Sequence, residues 1–224
     1  MKLPDLILVR HGESHGNVIN ARLRGDASEV PPAGFHDTHN SAWELTEAGT
    51  QQAVLAGEWI RSHANESPHL GFVSVFTRTL QTAECLALPD TQWHQELLLR
   101  EREVSNIAHQ PSGKPDPVGE LDYLYLAPLG VDTFAQLSDR VQLFMTKLRC
   151  LQLDPTRPIV IVTHSKTMWA FRFVLENMTP QQFVATFPPP DKSHEIGYGH
   201  ILHYSGSDEL GLSFEKFEHV SVGQ

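Results

Sequence analysis

Two short runs of consecutive apolar residues constrain this chain most. They are Leu6-Ile7-Leu8-Val9 and Pro158-Ile159-Val160-Ile161-Val162-Thr163. A strand with one wet face alternates polar and apolar residues. An unbroken apolar run of strand length instead predicts burial on both faces, as in a parallel sheet between helical layers. Phe72-Val73-Ser74-Val75-Phe76 reads as a third such strand. Each of the three is followed by a segment that can be helical.

Helix signals fill the spaces between the strands. Leu45–Ile60 has Thr46 as its N-cap and Leu55, Trp59 and Ile60 at helical spacing. Arg78–Leu88 reads as helical despite its threonines. Thr133–Leu151 carries Phe134, Leu137, Val141, Phe144, Met145 and Leu148, a 3.6-residue stripe. Lys166–Glu176 is apolar all round, which predicts a buried helix. Tyr198–Tyr204 and Leu212–Phe217 alternate about a turn at Ser205-Gly206-Ser207-Asp208 and predict an antiparallel pair. This order predicts an α/β fold: a three-layer sandwich with a mainly parallel central sheet, helices on both faces, and an antiparallel edge strand or hairpin at the C-terminus. With 224 residues, one domain spanning 1–224 is expected.

Two stretches read as long loops, Asn20–Ala42 and Asn106–Gly130. The second contains Pro111, Pro115, Pro117 and Pro128. Long loops in compact domains usually cover or build a site.

Composition narrows the ligand class. Seventeen basic residues against 27 acidic give a net charge of −10. Such a surface repels nucleic acid and anionic membranes, so an anionic ligand needs a local basic pocket. No apolar run approaches the roughly 18–20 residues that span a bilayer. The start, Met1-Lys2-Leu3-Pro4-Asp5, lacks the apolar core of a secretion signal. Cys85 and Cys150 form no CxxC and are expected as reduced thiols, which suits a cytoplasmic protein. Among the 13 histidines, His36-x-x-His39 with Asp37 is the best candidate for a metal pair. Its spacing matches no standard site, and no metal or cofactor is expected.

Open α/β sheets bind ligands at the carboxyl ends of their strands. Here those ends carry Arg10-His11, Arg78 and His164. If the strands lie side by side, two guanidinium groups and two imidazoles converge. Arginine gives bidentate donors to phosphate oxygens, and histidine can act as nucleophile, donor or acid near neutral pH. The combination predicts a phosphoryl-binding pocket, although each residue alone is more often a surface or hydrogen-bonded group than a catalytic one.

The string Val9-Arg10-His11-Gly12-Glu13-Ser14, with Asn17 following, resembles the signature of the histidine phosphatase superfamily, which includes the cofactor-dependent phosphoglycerate mutases. Four further segments match that family's order. They are Leu45-Thr46-Glu47-Ala48-Gly49, Ser74–Ala83 around Arg78, Leu99-Arg100-Glu101, and Val160–His164. The likeness covers residues 6 to about 175.

The resemblance implies that His11 is a nucleophile passing through a phosphohistidine. Arg10, Arg78 and His164 would hold the phosphoryl oxygens, and Asn17 would add a neutral donor. Backbone N–H groups around Ser165 would assist from a helix start. Glu101 would protonate the leaving oxygen and then activate water. Glu96 and Glu103 stand near enough to compete for that role. Ser105 stands where many members carry Gly. Arg10, next in sequence to His11, is expected to keep its imidazole neutral.

A phosphatase and a mutase share this chemistry. As the family likeness implies, mutases follow the acid with a basic stretch for a substrate carboxylate. Here Val104–Gly130 is proline-rich, with Lys114 against Asp116, Glu120 and Asp122. That favours a metal-independent phosphomonoester hydrolase acting on a small-molecule phosphate ester. Arg22 and Arg24 are candidates to bind a second substrate anion. The alternatives are a phosphoglycerate mutase or, from another class, a non-catalytic phospho-ligand binding module. Phe35, Trp43, Tyr123 and Tyr125 read either as nonpolar substrate surface or as loop packing. Monomer and homodimer are both compatible with the sequence.

Overall fold

A computed structural model describes residues 3–26, 28–102, 122–127, 131–187, 195–206 and 212–218; the side chains of residues 24, 122, 123 and 212–218 are outside it. Strands β1 (Leu6–Arg10), β2 (Leu70–Val73), β3 (Gln92–Gln95), β4 (Ile159–Thr163), β5 (Ile201–Gly206) and β6 (Leu212–Glu218) form one sheet in the order β3-β2-β4-β1-β5-β6. The pairs β3–β2, β2–β4 and β4–β1 are parallel. β5 lies antiparallel to both β1 and β6. The mainly parallel sheet with an antiparallel C-terminal edge agrees with the sequence reading.

Helices α1 (His15–Gly25), α2 (Glu47–His63), α3 (Thr77–Cys85), α4 (Asp122–Tyr125), α5 (Phe134–Arg149), α6 (Ser165–Leu175) and α7 (Pro180–Thr186) complete the described elements. The apolar runs explain the layers. Leu6, Leu8, Ile159 and Ile161 face one core with Phe134, Phe144, Met168, Trp169 and Phe183 from α5, α6 and α7. Ile7, Val9, Val160 and Val162 face a second core with Ala56, Ile60, Ala83 and Leu86 from the α2–α3 side. Successive residues of a strand point to opposite faces, so only a continuous apolar run serves both cores. Each fully buried aliphatic side chain contributes about 1.5–3 kcal/mol.

Several boundaries differ from expectation. Asn20–Ala42 is not all loop, because α1 continues through Gly25. Its Ala21-Arg22-Leu23-Arg24 sequence favours helix, although it offers little apolar face. Short 3₁₀ turns follow at Phe35–Asp37 and Asn40–Ala42. β2 stops at Val73, and Phe76 already stands immediately before the first turn of α3. Tyr198 and Gly199 form a turn, so β5 starts only at Ile201; Gly199 has φ 72°, outside the strand region. The proline-rich 106–130 stretch lies largely outside the described residues, although α4 falls inside it. The edge strand β3 and the short helix α7 were not anticipated.

Cys85 and Cys150 are unpaired thiols, the first half-buried and the second exposed. Among the described residues, no helix is long and apolar enough to cross a membrane.

Candidate active site

β1, β2 and β4 are neighbours, so their carboxyl ends lie side by side. His11 directly follows β1 and His164 directly follows β4, while Arg78 lies in the first turn of the helix after β2. All three side chains are buried, at 2%, 0% and 4% exposure. The two imidazole centroids are 5.1 Å apart.

Hydrogen bonds fix the state of each ring. His11 Nδ1 lies 2.6 Å from the Gly12 carbonyl oxygen, which can only accept. Nδ1 therefore carries the proton. Arg78 Nε donates to His11 Nε2 at 3.1 Å, so Nε2 presents its lone pair. Arg78 Nη2 donates to His164 Nδ1 at 3.3 Å, and His164 Nε2 donates to Ser74 Oγ at 2.8 Å. The third branch, Arg78 Nη1, donates to the Asn40 carbonyl at 2.7 Å. One guanidinium thus orients both imidazoles and ties them to the 3₁₀ turn at Asn40–Ala42.

The electrostatics agree with this arrangement. Burial is the largest cause holding His11 well below the ordinary imidazole pKa, with Arg78 second and Arg10 third. The sequence neighbour Arg10 acts in the expected direction, and burial and the bridging Arg78 contribute more. His164 is lowered by burial, then by Arg78, His11, Arg10 and Arg140. Arg78 itself is pulled down to about 10 by burial, partly offset by Glu101, and stays cationic at neutral pH.

Arg10 is held differently. Its Nη1 donates to the Ile196 carbonyl at 2.5 Å, and its guanidinium carbon sits 3.9 Å from the Tyr198 ring centroid. Its Nε is buried without a hydrogen-bond partner, a donor available to an incoming oxyanion. Tyr198 also lies 6.0 Å from the His11 ring.

Glu101 is half-buried at the end of a braced segment. Thr163 Oγ1 donates to the Leu99 carbonyl at 2.8 Å, and Arg140 Nη1 donates to the carbonyls of Leu98 and Arg100 at 3.0 and 2.8 Å. The Glu101 charge favours the cationic forms of both Arg10 and Arg78. Glu96 is committed elsewhere: it accepts from Leu98 N at 3.0 Å and pairs with Lys147 Nζ at 2.5 Å. Glu103 lies outside the described residues.

The remaining candidates separate. Ser14 Oγ donates to Asn17 Oδ1 at 2.6 Å, which engages the amide oxygen and leaves N–H groups as what Asn17 can offer a ligand. Ser165 is the first residue of α6 and is half-buried. Arg22 is exposed along α1, and no described contact brings it to the cluster. The Arg24 side chain lies outside the described residues. His39 Nδ1 accepts from Ser41 N at 3.3 Å within its own turn. No group of three metal-ligating side chains converges among the described residues.

Three groups at the site escaped the sequence reading. Ser74 shares the strand-end position of the others and could have been found by it. Tyr198 has no sequence signal. Asn40 contributes a main-chain carbonyl, which residue type does not reveal. Gly12 is required by a close approach: a Cβ there would lie 2.1 Å from the Gly49 carbonyl oxygen.

Two buried histidines bridged by a cationic arginine thus sit at the carboxyl ends of the parallel strands of an open α/β sheet. The chain belongs to the histidine phosphatase superfamily (branch 1), whose sequence model matches residues 6–196. Solved structures are similar over nearly the whole length. A mycobacterial glucosyl-3-phosphoglycerate phosphatase superposes with a TM-score of 0.68 at 20% identity, covering 96% of this chain and 97% of that one. A putative alpha-ribazole-5'-P phosphatase from Escherichia coli gives 0.70 at 16% identity, covering 99% of each. A phosphoserine phosphatase from Entamoeba histolytica, solved with 3-phosphoglyceric acid, gives 0.67 at 19% identity, covering 97% and 98%. No curated protein sequence matches the chain significantly.

Proposed function

We propose that this chain is a metal-independent phosphomonoester hydrolase that works through a phosphohistidine on His11. The observation that carries the reading is the state of the ring. His11 is buried and neutral, with Nδ1–H held by the Gly12 carbonyl and the Nε2 lone pair turned to Arg78. Nucleophilic catalysis needs that form.

In the first step, Nε2 attacks phosphorus and the bond from phosphorus to the ester oxygen breaks. Glu101, protonated at that moment, gives its proton to the departing alcohol oxygen. Arg78 and the unpartnered Arg10 Nε donate to the equatorial oxygens, where charge accumulates in the transition state. Arg78 exchanges its bond to the His11 lone pair for a bond to phosphate, so the cost of freeing the nucleophile is small. Asn17 and the first N–H groups of α6 add neutral donors. In the second step, the Glu101 carboxylate takes a proton from water. That water attacks phosphorus, the P–N bond breaks, and phosphate leaves with His11 neutral again. No step needs a metal.

Hydrolysis is preferred over phosphoryl return because Val104–Gly130 carries one lysine against three acids and so lacks a basic stretch for a substrate carboxylate, and because the three similar structures above bear phosphatase names. Those names share a small-molecule phosphomonoester. The test is turnover of p-nitrophenyl phosphate from pH 5 to 8 with EDTA present, alongside His11→Ala. Turnover insensitive to EDTA should fall by at least about 10³-fold in the variant. Activity surviving in His11→Ala would refute the assignment of the nucleophile.

A further inference from the structure

We propose that Trp43 is a positioning residue for Arg78, acting through the main-chain carbonyl of Asn40. The proposal rests on the reading of Arg78 as the group that binds phosphoryl oxygens and holds the nucleophile.

The chain of contacts is short. Arg78 Nη1 donates to the Asn40 carbonyl at 2.7 Å, and Arg78 is the residue that touches both imidazoles. Asn40 belongs to a single 3₁₀ turn, Asn40–Ala42. Apart from the bond to Arg78, the hydrogen bonds of that turn are local, Ala42 N to the His39 carbonyl and Ser41 N to His39 Nδ1. A turn this short has no rigidity of its own. Its place comes from its packing on α3 and from what anchors its two ends.

Trp43 is the residue immediately after the turn, and its indole lies against the backbone of α1 at Gly16. A Cβ at Gly16 would fall 1.9 Å from the indole Cδ2. Gly16 is therefore the socket for this ring. On the upstream side, Phe35 stacks on Trp43, with centroids 5.5 Å apart and planes 14° from parallel. One indole thus fixes residues 35 and 43 on either side of Asn40. Beyond Trp43 the chain is pinned independently, by His15 N to the Glu44 carbonyl at 3.0 Å and Leu45 N to Gln81 Oε1 at 2.8 Å. Loss of the indole would therefore loosen the turn that carries Asn40 while leaving Glu44 onward in place. Arg78 would then lose the acceptor that locks its third branch, and its grip on His11 would relax.

The groups facing His11 are Arg10, Arg78, His164 and Tyr198, and Glu101 acts on the two arginines. Only Arg78 is reached from the Trp43 turn. Two readouts on the whole protein test the link without relying on turnover. One is the imidazole titration of His11 by nitrogen NMR; the other is inorganic phosphate binding by calorimetry. Trp43→Ala should raise the His11 pKa by about one unit as the cation withdraws. It should also weaken phosphate roughly tenfold, the effect of about one charge-assisted hydrogen bond. Gly16→Ala, whose new Cβ expels the indole, should do the same. Trp43→Phe should restore both values, and Gly16→Ala combined with Trp43→Ala should be no worse than Trp43→Ala alone.

A folded Trp43→Ala or Gly16→Ala protein with an unchanged His11 titration overturns the proposal, even if phosphate binding weakens. Failure of the wild type to bind phosphate would instead count against the proposed function. The His11 titration would still decide the role of Trp43.

Discussion

Helices α1, α3 and α6 begin without a side-chain cap: neither Ser14, Phe76 nor His164 accepts a bond from the first turn. Helices α2, α5 and α7 begin with a threonine cap, Thr46, Thr133 and Thr179. The uncapped three follow β1, β2 and β4, the strands whose ends carry His11, Arg78 and His164. None of them has an acid in its first turn, where one would normally be favourable. Proximity to the site does not explain the difference. α2 also begins there, with Thr46 N bonded to the Glu13 carbonyl, and it is capped. A cap consumes an orphan N–H. Where the fold leaves those donors and the dipole uncompensated, an anion can take the place of the cap.

The largest expected effect is at Arg78, in the first turn of α3. Arg78→Lys keeps a charge but cannot reach His11, His164 and Asn40 together. Turnover should fall about 10²–10³-fold, with a far-ultraviolet circular dichroism spectrum unchanged. Near-wild-type kinetics would show that the bridge is incidental.

Next comes pH. His11 and His164 have folded pKa values well below 6.5, so the unfolded chain protonates first as pH falls. The stability from these rings is whole above about pH 6.5 and declines below it, by about 1.4 kcal/mol per pH unit for each ring. Denaturant melts between pH 7 and 5 read this, and the decline should shrink in His164→Gln.

The start of α6 can be given an anion of its own. Ser165→Asp places an anion where the ligand would sit. KM and the phosphate inhibition constant should rise about tenfold while the melting temperature holds or rises slightly. The smallest effect belongs to the capped set. Thr133→Ala should cost about 1 kcal/mol in denaturant melts and leave kcat/KM unchanged.

What the sequence revealed follows from where the physics is local. β1 and β4 were readable because a strand buried on both faces needs an unbroken apolar run. β3, Gln92-Trp93-His94-Gln95, was not, because an edge strand that is mostly exposed carries no such pattern. α1 was read partly as loop because its polar residues show no apolar stripe. His11, Arg78 and His164 could be found at strand ends before any fold was known. Their mutual wiring could not, since it depends on a main-chain carbonyl at Asn40 and a hydroxyl at Ser74. Tyr198 meets Arg10 across 188 positions of sequence only because β5 lies against β1. The braces that hold Glu101 come from β4 and α5, far along the chain.

Every step of the proposed reaction depends on a neutral His11 taking the phosphoryl group covalently. The most direct measurement is a rapid base quench of the wild type and His11→Ala during turnover of p-nitrophenyl phosphate, followed by peptide mass mapping. One added phosphoryl group is expected on His11, present before the steady state and absent in the variant. A phosphoryl group on another residue, or turnover with no phosphoenzyme at any time, would contradict this mechanism.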